Sequence, residues 1–247
     1  MFPLRDHNPS QRTPYVTYAL MAANIGIFLS YVGLFQDNQA LFSFYRDWAL
    51  TPGLVNEGQN TYGFVTSMFL HGGWMHLAGN MLFLWIFGDN MEDEWGHVGF
   101  FTFYMACGLG AGYTHYIADP TSMVPTVGAS GAIAAVMGGY LLLFPKAKVD
   151  ILFIFVVFFK IIPVPAWIML GIWFGLQIFG GFSAVSGGGG VAYWAHAGGF
   201  VVGLIATIPL WLKEGGTGFW QRTDMHPPHP EAKYKLSQSS IPKVRRK

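Results

Sequence analysis

The chain has 247 residues, of which 52% are hydrophobic and 11% charged, with a formal net charge of +1. A soluble globule usually carries about 25% charged residues, so this composition points to lipid as the solvent. The single cysteine, Cys107, excludes an intrachain disulfide and leaves the redox compartment unreadable.

Asp, Glu, Lys and Arg are absent from residues 13–36, 61–88, 97–118, 120–145 and 161–212. A bilayer helix needs roughly 20 such residues. The last stretch is interrupted by "GGFSAVSGGGG" at 180–190, so six spans are expected, near 14–35, 74–88, 98–117, 130–144, 165–179 and 191–212. The expected fold is an all-α membrane bundle of six transmembrane helices. Residues 1–12 precede it as a short cytoplasmic segment, 13–212 form the membrane core, and 213–247 follow as a flexible basic cytoplasmic tail.

An even number of spans puts both termini on one side. Arg5, Arg12, Lys146, Lys148, Lys160, Lys213, Arg222 and the terminal "KVRRK" share that side, and Arg46 falls opposite, so both ends are expected in the cytoplasm. With no organelle-targeting segment evident, a bacterial plasma membrane is the default location. The loop at 37–73 lies outside and mixes aromatics with turn signals. The acidic "GDNMEDEWGH" is expected as a cytoplasmic loop. The segment "KAKVDILFIFVVFFKIIPVP" is too short for another crossing and is expected to be strand-like or interfacial, with Pro163 and Pro165 opening the next helix. Neither an internal repeat nor a nucleic-acid motif is present, and the basic tail suits anionic lipid.

Polar groups inside a bilayer are costly unless they face the bundle interior or water. Three clusters break the apolar pattern: "HGGWMHLAGN" with His71, His76 and Asn80; Ser130 within "GASG"; and His196 within "AHAGG". His76 and Asn80, four residues apart, share a helix face. With the N-terminus inside, spans two, four and six all run inward, so His76, Ser130 and His196 fall at similar depth near the outer face. A serine beside a histidine at one depth supplies a nucleophile and its base. The Ser130 amide, at a helix start, and the His76 and Asn80 side chains are candidate donors to an oxyanion. Gly199 and Gly203 lie on the face of His196, and Gly131, Ala135 and Gly138 make a matching stripe. Close contact of these two stripes would bring Ser130 to His196. Gly128 and Gly131 flank the serine, where the lack of a Cβ suits close approach of a ligand to the hydroxyl and equally a tight helix contact, and they are expected to serve helix packing.

Together "GASGA", "AHAGG" with its GxxxG, and "HGGWMHLAGN", on alternate spans, resemble the rhomboid family of intramembrane serine proteases over about residues 13–212. The resemblance implies Ser130 as nucleophile, His196 as general base, and His76 and Asn80 with the Ser130 amide as oxyanion donors. It implies no cofactor and no metal. It implies transmembrane proteins as substrates, cut near their outer end, after a small residue, where the helix unwinds easily. His71 is implied as structural, and Gly88 and Glu92 match a Gly-x-x-x-Glu that organises the loop after span two. Two departures stand out: Tyr62-Gly63 replaces a Trp-Arg pair of the first loop, and Ala134 replaces a tyrosine that packs on the catalytic histidine. Trp194 or an aromatic of a neighbouring helix is the expected substitute. A non-cleaving, protease-like binder of membrane proteins shares every fold feature, but retention of Ser130 and His196 argues against it. A transporter would show repeat symmetry, and zinc on His71, His76 and His196 would leave the serine idle. Oligomeric state is unread.

Overall fold

The computed structural model describes residues 2–8, 10–155, 158–184, 192–228 and 230–232. A first strand β1 (Phe2–Asp6) precedes α1 (Tyr15–Tyr31), which a short 3-10 turn extends to Gln36. Three short helices follow, α2 (Asn38–Trp48), α3 (Pro52–Asn56) and α4 (Gly63–Thr66). The 45-residue α5 (Trp74–Ala118) leads to α6 (Ser130–Leu143). Strands β2 (Lys148–Phe155) and β3 (Phe158–Pro165) come next, then α7 (Ala166–Ala184), α8 (Tyr193–Lys213) and α9 (Thr217–Thr223).

Among the described residues, three helical segments are long and apolar enough to cross a membrane: 15–36, 166–183 and 193–213. The apolar α6 has 14 residues, or about 21 Å at 1.5 Å per residue. The acidic stretch expected as a loop is helical instead. Glu, Met, Asp and Asn are tolerated in a helix, and the break falls on Gly96 alone, whose φ of 67° suits a residue without Cβ. Beyond it the chain doubles back: Gly108 packs on Met68, which precedes the start of α5.

All residues from Gly131 to Tyr140 are buried, so α6 is the central helix. A helix that is apolar all round belongs in such a position. A Cβ on Gly199 would collide with the Gly131 carbonyl, one on Gly203 with the Ala135 carbonyl, and one on Gly138 with the Phe200 carbonyl. The backbones of α6 and α8 therefore touch over two turns, which only small residues allow. α6 also packs on α5: a Cβ on Gly139 would crowd Met91 of α5 as well as Thr207 of α8.

The fold is not wholly helical. β1, β2 and β3 form an antiparallel sheet with order β1-β2-β3, pairing Phe2 with Leu152 and Ile151 with Ile162. The strand-like segment is thus a strand pair, and the N-terminal segment completes it. The sheet lies at the end of the bundle remote from Ser130, where the Trp220 indole donates to the Leu142 carbonyl at 2.9 Å. The expected tail accordingly starts with a helix, α9, whose Phe219 is buried. Ala232 N–H reaches the His7 carbonyl at 2.7 Å. The terminal "KVRRK" and most of "GGFSAVSGGGG" lie outside the described residues.

Glu92 ties the helices together at this end. Its carboxylate accepts from the Val16 and Thr17 amides at 2.9 and 2.8 Å and from the Thr17 hydroxyl at 2.7 Å. Pro14 offers no side-chain cap to α1, so a residue of α5 supplies it. Gly88 packs against Thr17, where a Cβ would come within 3.0 Å.

Asp6 is buried beside Asn8, Asn90 and Tyr140, accepting from Asn90 Nδ2 at 2.9 Å and from the Tyr140 hydroxyl at 3.1 Å. Burial first, and repulsion from Asp89 second, push its carboxyl up to about 8. The folded state therefore holds this proton more tightly than the unfolded chain does. Stability is greatest below the unfolded value, about 4, and falls as pH rises toward about 8. Thermal unfolding in detergent from pH 5 to pH 9 should show a falling midpoint in the wild type and a flatter profile in Asp6→Asn. An equally steep profile in the variant would contradict this. Gly203→Val should lower the midpoint by at least about 3 °C, from an overpacking cost of about 1–3 kcal/mol. An unchanged midpoint would be inconsistent with the α6–α8 contact.

Candidate active site

Ser130 is the first residue of α6 and His196 lies in the first turn of α8. Because those helices touch through Gly131, Ala135, Gly199 and Gly203, their starts sit side by side. His196 Nε2 lies 2.7 Å from Ser130 Oγ, a hydrogen-bond distance. Both residues are half-buried. The first bond within α6 runs from Ile133 N–H to the Ala129 carbonyl, so the Ser130, Gly131 and Ala132 amides precede it and are spare.

His76, in the first turn of α5, faces the same place. The Gly72 amide donates to its Nδ1 at 3.1 Å. A nitrogen that accepts carries no proton, so in the neutral ring Nε2 is the N–H. That N–H is aimed toward Gly128: a Cβ there would lie 2.9 Å from His76 Nε2 and 3.2 Å from Ser130 Oγ. Gly128 has φ of 137°. Its missing side chain, rather than a contact between helices, is what lets His76 and the serine hydroxyl stand together, since a Cβ there would crowd both.

Asn80 is buried on α5, and its Nδ2 donates to the His76 carbonyl at 2.9 Å. The structure thus engages Asn80 with its own helix and links it to the position of His76. His71 is fully buried; its carbonyl accepts from the Tyr31 and Tyr45 hydroxyls at 2.9 and 3.0 Å. These bonds fasten the start of α5 to α1 and α2.

The first loop is held without a Trp-Arg pair. Asn60 Nδ2 donates to the Arg46 and Ala49 carbonyls, Thr66 Oγ1 to the Trp48 carbonyl, and Leu50 exchanges two backbone bonds with Thr126. Gly63 packs on the Ala49 carbonyl, where a Cβ would sit 2.7 Å away. Around Tyr62-Gly63 the loop is thus held by polar side chains and backbone groups bonding to main-chain carbonyls.

The aromatic ring against His196 belongs to α7. Trp173 packs with its centroid 6.0 Å away and its plane tilted by 33°. Trp194 packs instead on Phe182. Sequence reasoning missed Gln177, whose Oε1 lies 2.9 Å from His196 Nδ1. Its signal was available: a polar residue in the middle of the uncharged stretch 161–212.

A small cavity of about 30 Å³ adjoins the serine, with Ser130, Gly131, Met68, Gly108 and Ala111 among its walls. It has room for a water or a small side chain.

A family model described as "Rhomboid domain" matches residues 58–213. The mitochondrial Rhomboid protein 1 of Saccharomyces cerevisiae is 29% identical over 197 residues, covering 77% of this chain and 51% of that protein. The chloroplastic Rhomboid-like protein 11 of Arabidopsis thaliana is 32% identical over 129 residues, or 52% of this chain and 42% of the relative. The Rhomboid protease GluP of Bacillus subtilis is 28% identical over 205 residues, or 82% of this chain and 36% of the relative. The matches thus span about half or less of these relatives' own length. Organelle and bacterial proteins both stand among them, so a bacterial origin is not supported over an organellar one.

Gly128→Ala should slow the labelling of Ser130 by a serine-directed fluorophosphonate at least about tenfold, because the added methyl must displace His76 or the serine hydroxyl. The rate of covalent labelling checks this, and an unaltered rate would mean that the space at Gly128 is not used.

Proposed function

Because the chain belongs to the rhomboid family, we propose that it is an intramembrane serine endopeptidase with Ser130 as nucleophile and His196 as general base. The observation that carries the reading is the 2.7 Å approach of His196 Nε2 to Ser130 Oγ among apolar helices. In this reading the helical segments 15–36, the two arms of α5, α6, α7 and α8 make six spans, with both termini on the cytoplasmic side. The basic residues near the sheet end favour that orientation.

Serine is a weak nucleophile until a neutral imidazole takes its proton. As Oγ attacks the carbonyl carbon of a scissile peptide, the proton passes to His196 Nε2 and the carbonyl oxygen becomes an oxyanion. The Ser130 amide and His76 Nε2–H are the donors for that charge, and Asn80 holds the backbone of the turn that carries His76. The C–N bond then breaks, the leaving amine takes the proton from His196, and a water repeats the sequence to release the acyl group. Polar groups fixed in a water-poor site need no reorganisation as charge develops, which is where such donors act most strongly.

The substrate class follows from the solvent. A peptide bond in a transmembrane helix is hidden by its own hydrogen bonds, so segments with Gly or Pro are easiest to expose. The small cavity beside Ser130 favours a small side chain before the cut.

Cleavage of a reporter transmembrane segment by the purified protein in liposomes tests the reading. Wild type should cut; Ser130→Ala and His196→Ala should not. His76→Ala should retain folding and lose about 10²–10³ in kcat. A wild type that is folded and binds the reporter without cutting it would favour a binding protein of the same fold.

A further inference from the structure

The hydrogen bond that orients His196 comes from a helix outside the Ser130, His76 and His196 constellation. We propose that Gln177 of α7 is a positioning residue that sets the tautomer of His196 by accepting a hydrogen bond from it; the inference rests on the protease reading above.

Gln177 is buried, 8% exposed, and its amide has two ends with different chemistry. One end lies 3.2 Å from the Trp173 carbonyl oxygen. A carbonyl has lone pairs only, so the end facing it is the NH2 group. The other end is then the oxygen, 2.9 Å from His196 Nδ1. An amide oxygen has no proton to give, so Nδ1 must carry one. In a neutral imidazole this leaves Nε2 bare, facing the Ser130 hydroxyl at 2.7 Å. That is the form able to accept the serine proton. The opposite tautomer, which free histidine prefers in water, would donate to Oγ and could take nothing from it.

An amide beside a histidine could present either end. Here the Trp173 carbonyl, four residues earlier on the same helix, selects the oxygen. The Trp173 ring lies against the imidazole from the same face of α7, so one helix turn governs both the plane and the tautomer of His196. Other titratable groups that face His196 are Ser130 on α6 and His76 and His115 on α5. A neutral amide suits this place, because a carboxylate would bring an isolated charge among apolar helices.

The test uses the full chain, uniformly folded in detergent micelles, with 15N-labelled histidine; the His196 signals are identified by their loss in His196→Ala. Gln177→Met keeps length and packing but removes both polar ends. Wild type should show His196 with its proton on Nδ1, and Gln177→Met should shift it toward the Nε2–H form. This readout needs no substrate, so it decides the proposal even if no reporter is cut. With a reporter, Gln177→Met should lower kcat about 10- to 100-fold, as loss of an orienting partner does elsewhere, with KM changed less than about twofold. Gln177→Glu keeps the acceptor and adds a charge that favours imidazolium, so it should restore most of kcat at high pH and move the acid limb of the profile upward. A role in packing alone predicts an unaltered tautomer in Gln177→Met, and that result would overturn the proposal.

Discussion

The contact on which the rest depends is the backbone-to-backbone seam between α6 and α8. Gly131 faces Gly199, Ala135 faces Gly203, and no side chain separates the carbonyls of one helix from the Cα atoms of the other. In lipid there is no hydrophobic gain from burying apolar helices against each other, so association relies on close van der Waals packing. The same closeness decides where functional groups can stand. A serine at the head of α6 and a histidine in the first turn of α8 meet because their helices have no room to drift apart. A β-branched or longer side chain along the seam would widen it and separate them, while leaving every polar residue in place.

A second constraint is that a polar group within the bundle is costly unless it finds a partner. Several side chains do this with neutral groups and with the backbone of their own helices, whereas others, such as the buried Tyr104 hydroxyl, have no hydrogen-bond partner among the described residues. Asn80 donates to the His76 carbonyl, Gln177 to the Trp173 carbonyl, and Thr207 to the Gly203 carbonyl. Such bonds consume one polar end and leave the other aimed in a defined direction. At the sheet end the partners are ionic: Glu92 caps α1, and Asp150 accepts from the Arg5 guanidinium at 2.9 Å. These ionic contacts set the arrangement of chain segments there, while the contacts around Ser130 are made by neutral groups. α7 bridges these roles: its exposed outer face includes Ile172, Leu176 and Phe179, and its inner face carries Trp173 and Gln177 against His196. Any displacement of this helix would alter the orientation of the histidine.

Much of this was legible from residue order because long-range facts leave local marks. Charge-free stretches mark apolar helices, and glycine at spacing of four marks close approach. The parts that were not legible depend on single residues or on distant partners. The acidic stretch continues as helix because nothing in it opposes helix until Gly96. β1 has five residues including Pro3, too few to show a strand period, and becomes a strand only by pairing with a segment some 145 residues later. α9 was obscured by its polar surroundings, although Phe219 and Trp220 supply its buried face. Gln177 had no periodic partner, so only its presence in an apolar helix could have marked it. Gly128 was grouped with the packing glycines because position in the sequence does not distinguish a seam from an opening.

Whether His196 activates Ser130 is open to direct measurement by mapping a fluorophosphonate adduct on the intact chain in liposomes by mass spectrometry. A single adduct is expected, on Ser130 and on no other serine, and it should be absent in His196→Ala. An adduct elsewhere, or one on Ser130 that forms as fast without His196 as with it, would mean that His196 does not activate Ser130.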